Sequence, residues 1–380
     1  MSHRAYLDHN AAAPLHPAAR AAMEQALHLV GNPSSQHAEG QAARARVEDA
    51  RALVAGLLGA RERDLTFTSG ATEALHHVIH GVLAATARRT VVTTTVEHHA
   101  VLDELASLEE RGRVRVRRVG VDAHGVVDAA AWSAAMDDDV ALACLLWANN
   151  ETGVVQPVRR LLKVAREACG AFTLLDAAQV PGRLELVVPS MAADAVVVSA
   201  AKFGGPRGVG ACWMDGSAAA ARWRPPRRGG AQERGRRPGT ENVVGVAGMG
   251  AAAAAVSLED VERIRTLRDT LENRLRRRFP DVVVHGAGAE RLGNTAFIGF
   301  PGADAQLLLM LLDQAGVAAS SGSACVSGAT TPSHVLAAMG VPTGLARASV
   351  RFSLGMGSTE EDVELALVAL EHAVPRARDG

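Results

Sequence analysis

Six apolar runs dense in β-branched residues, at 65–68, 90–95, 140–147, 172–175, 195–199 and 209–214, are spaced along the chain by segments of helix length. Strands separated in this way are joined by crossovers, so they form a largely parallel sheet covered on both faces. The fold class is therefore α/β. From about residue 257 the pattern changes. A charged amphipathic helix at 258–278, strands at 282–285 and 294–300, a helix at 304–314, and a last strand and helix at 348–354 and 359–374 read as a second, α+β domain. A chain of 380 residues is long enough for one large core and a smaller one, and no internal repeat or low-complexity linker interrupts them.

A formal net charge of −1 and a pI near 6.9 lack the basic excess that a nucleic-acid or anionic-membrane binder needs. The arginines paired at 227–228 and 236–237 and tripled at 276–278 are local features. Residues 1–14 have no apolar signal core, and the most apolar later stretch, 243–256, is too short to span a bilayer. A cytoplasmic protein is expected. Its four cysteines, Cys144, Cys169, Cys212 and Cys325, share no CxxC spacing and are expected to stay thiols, with no metal centre.

Of 40 basic residues only Lys163 and Lys202 are lysine. A guanidinium stays protonated and cannot serve as an amine nucleophile, so a lysine that persists against this bias is a candidate for chemistry arginine cannot do. Lys163 sits in a helical pattern, 158–168, and reads as a solvated side chain. Lys202 ends the run 195–199 through Ala200 and Ala201 and precedes Phe203-Gly204-Gly205-Pro206, where glycines permit close approach by a ligand. It is the Schiff-base candidate.

Four other segments carry chemistry. Ser69-Gly70-Ala71-Thr72-Glu73 follows a strand and opens a helix, which suits a phosphate and equally reads as a capping box closed by Glu73. Asp176, at the carboxyl end of a buried strand, is either a helix cap or the partner of a protonated ring nitrogen. Arg351, inside an apolar strand, is either an edge charge or a carboxylate clamp. The small, polar stretch 318–329 cannot pack a core and is expected to be an exposed, mobile loop, which makes Cys325 the one cysteine accessible as a nucleophile. His98 and His99 follow a strand, while His76, His77 and His80 share a helix without a carboxylate at zincin spacing and read as a solvated face.

Taken together, these segments resemble the cysteine desulfurases of the NifS/IscS type, in the class V aminotransferase group of fold-type I pyridoxal-phosphate (PLP) enzymes. The likeness runs from Tyr6-Leu7-Asp8-His9-Asn10 to Ser353-Leu354-Gly355. It passes in order through Asn32-Pro33-Ser34-Ser35, Ser69-Gly70-Ala71-Thr72-Glu73, Glu97-His98, Asn149-Asn150-Glu151, Asp176-Ala177-Ala178-Gln179, Arg237-Pro238-Gly239-Thr240 and Ser321-Gly322-Ser323-Ala324-Cys325. The resemblance implies a large PLP-binding domain at 16–256 around a mostly parallel seven-stranded sheet. A small domain of 1–15 and 257–380 would carry the catalytic cysteine loop.

By the same resemblance Lys202 holds PLP as a Schiff base and moves the substrate Cα proton. His98 stacks on the ring and assists proton transfers, Asp176 pairs with the pyridinium, and Gln179 and Asn150 bond near the ring hydroxyl. Ala71, Thr72 and Ser199 lie at the phosphate, with Thr240 reaching in from the second subunit of a homodimer. Arg351, with Asn150, binds the carboxylate of L-cysteine. Cys325 takes the sulfur as a persulfide, alanine leaves, and the sulfur passes to an acceptor protein such as an iron–sulfur scaffold. A selenocysteine lyase or another class V β-lyase is the other reading on this fold. A degenerate homologue kept as a binding partner is opposed by the intact set Lys202, Asp176, Cys325 and Arg351. The departure from the family pattern lies before the lysine, where Ser-x-His-Lys is replaced by Ser199-Ala200-Ala201-Lys202, so Ala201 cannot make the usual histidine bond to the phosphate.

Overall fold

The computed structural model describes residues 3–322 and 332–379, so Cys325 lies outside the described residues. The strands are β1 (Ala5–Tyr6), β2 (Leu65–Thr68), β3 (Thr90–Thr94), β4 (Arg115–Val119), β5 (Val140–Leu146), β6 (Phe172–Asp176), β7 (Ala195–Ser199) and β8 (Gly210–Met214), followed by β9 (Val283–Val284), β10 (Thr295–Gly299), β11 (Val317–Ala318) and β12 (Ser349–Ser353). A seven-stranded sheet has the order β2-β8-β7-β6-β5-β3-β4. The pairings among β3 to β7 are parallel, and β8 runs antiparallel to both of its neighbours.

Side chains alternate across the sheet, so each buried run feeds two cores. Ala143, Leu145, Val196, Val198 and Trp213 pack on one face with Val54 and Leu161. Leu142, Cys144, Leu174, Val197 and Cys212 pack on the other with Ile79 and Leu105. The six apolar runs became six strands. The seventh, β4, is Arg-Val-Arg-Arg-Val, whose charges hide the strand signal and suit the exposed edge it occupies. Arg115 and Arg118 there pair with Asp139 and Glu109.

β12-β10-β9 form a separate antiparallel sheet, and β1 pairs in parallel with β11. Ala5 and Leu7 are buried in the same core as Leu271, Ile298, Phe300, Phe352 and Leu370. The chain therefore begins among C-terminal elements and then crosses to the large sheet, where Ala13 N–H donates to Ala201 O at 2.8 Å.

A buried ion pair fixes the segment before Thr240. Arg51, in the helix Ala38–Leu57, donates from both terminal nitrogens to Glu233 at 2.9 and 2.8 Å, and Phe67 N–H donates to the same carboxylate at 2.9 Å. Glu233 and Arg234 both hold left-handed backbone, φ 49° and 58°, a conformation that costs a non-glycine residue about 1–3 kcal/mol. The pair keeps them there. Removing one partner of a buried pair strands the other charge, so Glu233→Ala is expected to lose about 3–5 kcal/mol of stability by denaturant unfolding. A loss below about 1 kcal/mol, the range of surface pairs, would contradict this role.

Candidate active site

The carboxyl ends of β6 and β7 lie side by side and bring the chemistry together. Asp176 closes β6, paired in register with Val197 of β7, and Ser199 closes β7. The next three residues form a short 3-10 turn, Ala200–Lys202. Lys202 Nζ donates to the carbonyls of Asn10 (2.9 Å) and Ala11 (2.6 Å), so the amine is held by the crossing N-terminal segment. Burial, then the charges of Arg183 and Arg351, push it down to about 8 against the opposing pull of Asp176 and Asp8. An amine with that value is partly neutral near neutral pH and able to act as a nucleophile.

Asp176 is 4% exposed, and one of its oxygens accepts from Ala178 N–H at 2.9 Å. Burial pushes its carboxyl up to about 6, against the Ala178 bond and the Lys202 charge. The residues after Asp176 form a turn and not a helix, so the helix-cap reading is corrected: the Ala178 bond closes that turn.

The turn after β2 is shaped for an anion. The helix Ala71–Leu83 starts behind Gly70 with no side chain capping its free N–H groups. Glu73 closes half of the expected box by accepting from Ser69 N–H at 2.6 Å. Arg237 and Arg227 donate to Glu73 as well. Burial alone would raise the Glu73 carboxyl, but the bonds from Arg237 and Ser69 bring it down to about 2. Gly210 stands between Thr68 and Ser199 in the sheet, and a Cβ there would meet Gly70 C at 2.6 Å. Only glycine lets that strand lie against the helix start, and Ser199 is its register partner across the sheet. These residues fit a phosphate monoester. Thr240 is exposed in this chain and does not join them.

His98 caps the helix His99–Glu110, its Nδ1 accepting from Ala100 N–H at 3.0 Å. That bond leaves the hydrogen of the neutral ring on Nε2. Burial and then the Lys202 charge push it down to about 4, so the ring is neutral at physiological pH. The solvated-face reading of the helical histidines is corrected: His77 is 4% exposed, packs on Trp223 at 5.0 Å, and is pushed down to about 4 by burial. His76 and His80 flank Glu104 at 3.7 and 2.8 Å. No metal-binding group of side chains occurs among the described residues.

Arg351 is 2% exposed, although its strand is the edge of its sheet. It donates to Asp8 (2.7 Å) and to Asn150 O (3.0 Å), while its Nε is buried without a partner among the described residues. Its backbone exchanges both bonds with Ser320, and Ser333 Oγ donates to Glu151. The two described anchors of the segment carrying Cys325 thus lie beside Arg351 and Glu151. Gln179 is turned toward the N-terminal segment, with Nε2 donating to Asn10 O at 3.1 Å and Oε1 accepting from Arg183. Asn10 and Arg183 are site residues that sequence reasoning did not assign; the nearest signal was the position of Asn10 in a motif. Cys144, Cys169 and Cys212 are buried; burial pushes the Cys144 thiol well up and that of Cys212 up to about 12.

Glu97 lies under the site at 1% exposure, with Oε1 accepting from Thr94 Oγ1 (2.7 Å) and Leu146 N–H (3.0 Å) and Oε2 buried without a partner. Burial, aided by the Asp176 charge, pushes its carboxyl up to about 8 from the ordinary 4.5. The folded value lies above the unfolded one, so the stability it lends is full below about 4.5 and lost as pH rises through about 8. Glu97→Gln, neutral throughout, is expected to flatten the fall in thermal midpoint over that window. An unchanged pH dependence would show that Glu97 is already ionised in the folded protein.

The aminotransferase class-V family matches residues 5–366. A cysteine desulfurase of Cereibacter sphaeroides is 43% identical over 378 residues, covering 99% of this chain and 97% of the relative. A solved structure described as a NifS-like protein superposes with a TM-score of 0.91 at 31% identity, covering 98% of this chain and all of that one. Another, described as SspA in complex with cysteine, gives 0.82 at 27% identity over 92% of this chain and 98% of its own. The chain belongs to the aminotransferase class-V family, in the branch its cysteine desulfurase relatives define.

Proposed function

We propose that this chain is a PLP-dependent cysteine desulfurase that leaves L-alanine and a persulfide on Cys325. The observation that carries the reading is the partly neutral Lys202 amine set beside the Asp176 carboxylate at the ends of adjacent parallel strands. Bound there, PLP supplies an electron sink that weakens the bonds around the substrate's α-carbon. The helix start at Ala71 and Thr72, with Ser199, would hold its phosphate, and Asp176 its ring nitrogen. Gln179 and Asn150 would bond near its ring hydroxyl.

Arg351 would receive the substrate carboxylate, a reading supported by its Nε, which has no partner among the described residues, and by the anchoring of its other nitrogens to Asp8 and Asn150. Lys202 takes the Cα proton and returns it to the three-carbon product. His98, fixed as the Nε2–H form, offers a donor over the site. The Cys325 thiolate attacks the substrate sulfur; the S–S bond forms as the C–S bond breaks, and that electron pair leaves with the fragment that becomes alanine. The three described thiols are buried, which leaves Cys325 for this role. A persulfide must then reach an acceptor outside the chain, such as an iron–sulfur scaffold, and the cycle suits a reducing cytoplasm. No helix among the described residues is long and apolar enough to cross a membrane.

Cys325→Ser is expected to bind PLP and take up cysteine yet release no alanine, while Lys202→Ala lacks the cofactor's visible absorbance. Normal alanine release by the serine variant would move the reaction to another residue and favour a lyase that needs no persulfide.

The working unit is a two-fold homodimer in which Thr240 completes the partner's phosphate site. Its exposure and the anchored Glu233 that precedes it support this reading. Sedimentation at assay concentration is expected to give twice the chain mass of 39.6 kDa. A fully active monomer would overturn it.

A further inference from the structure

Arg183 lies outside the sequence motifs, in the turn after Gln179, yet it stands among the charges that face Lys202. Its guanidinium donates to Gln179 O at 3.2 Å, to Gln179 Oε1, and to His9 O at 3.4 Å. Gln179 Nε2 in turn donates to Asn10 O at 3.1 Å, and that carbonyl accepts from Lys202 Nζ at 2.9 Å. A continuous relay therefore runs from Arg183 through Gln179 and the Asn10 carbonyl to the amine. Arg183 and Lys202 also line one cavity of about 390 Å³, with His9, Asn294, Phe203 and Leu354.

Arg183 makes no ion pair among the described residues, whereas the neighbouring Arg351 is paired with Asp8. A part-buried guanidinium without a carboxylate partner is held at a cost in solvation. Five groups bear on the Lys202 amine: Arg183 and Arg351 as cations, Asp176 and Asp8 as anions, and the neutral ring of His98.

We propose that Arg183 is a positioning residue for Lys202, aiming the amine through Gln179 and the Asn10 carbonyl and setting an unpaired cation beside it in the same cavity. The inference rests on Lys202 being the residue that takes up PLP. Arginine suits the task, because one nitrogen of its planar fork reaches two oxygens of Gln179 while the other reaches the His9 carbonyl, and although burial pushes it down to about 9 it stays mostly charged where Lys202 titrates.

The test is PLP uptake by the full-length chain after the cofactor has been stripped, followed by visible absorbance between about pH 6 and pH 10, a range that spans ordinary and depressed lysines. Wild type is expected to load faster as pH rises and to level off above about 8. Arg183→Gln is expected to move that rise to higher pH, with uptake at pH 7 falling about tenfold for each unit of displacement. Arg183→Lys keeps the charge and loses the fork, so its midpoint stays while its plateau drops. Arg183→Met is the second neutral variant if the glutamine form does not fold. An unmoved midpoint in a folded neutral variant, or slowing by the same factor at every pH, overturns the proposal. Failure of wild type itself to load at Lys202 would instead overturn the reading on which it rests.

Discussion

Asn10 is buried at 1% exposure between the two sheets and uses its polar groups in both directions. Toward the C-terminal elements its N–H donates to Ser353 Oγ, its amide nitrogen to Thr295 Oγ1, and its amide oxygen accepts from Asn294. Toward the large sheet the same amide nitrogen donates to Asn150 O, and its carbonyl accepts from Lys202 and Gln179. A buried polar group that loses its partner costs about 1–3 kcal/mol, so these bonds stand or fall together. The relative placement of amine, carboxylate and clamp depends on one residue near the start of the chain.

Charge around that residue is unbalanced. Lys202, Arg183 and Arg351 face Asp8 and Asp176, and only the Arg351–Asp8 contact is a direct pair. An excess of cations in a partly desolvated pocket favours a carboxylate substrate and at the same time disfavours protonation of the lysine. The same electrostatics that would recruit an amino acid prepares the nucleophile. Glu97 and His98 add no charge at neutral pH, because burial holds one protonated and the other deprotonated.

The fold was legible wherever burial on both faces left continuous apolar runs, and it failed at β4, where edge exposure allows three arginines. The places of Lys202, Asp176 and Ser199 at or just past strand ends were legible because buried apolar runs mark where parallel strands stop. Contacts that join distant segments were not. Nothing local tells that Gln179 turns to Asn10 and Arg183, or that Glu233 is clamped by Arg51, 182 residues away. His77 was misread for a related reason: a helix packed against the sheet on one side and against Trp223 on another buries a histidine that periodicity alone leaves in water.

The near absence of lysine has a consequence for chemical selectivity. Lys163 lies on the surface of the helix Val158–Cys169 with its ammonium 3.7 Å from Glu167. A solvated lysine of ordinary value has about one neutral amine in a few thousand at pH 7. An amine titrating near 8, as at Lys202, has roughly one in ten. Aldehydes react with neutral amines, so an aldehyde diffusing over this protein finds its reactive side-chain partner at the bottom of the cleft and almost nowhere on the surface. Writing surface charge as arginine leaves Lys163 as the one exposed lysine, so a mild reductive amination near neutral pH would tag the chain chiefly at Lys202 and at its α-amino group, whose ordinary value is about 8 as well.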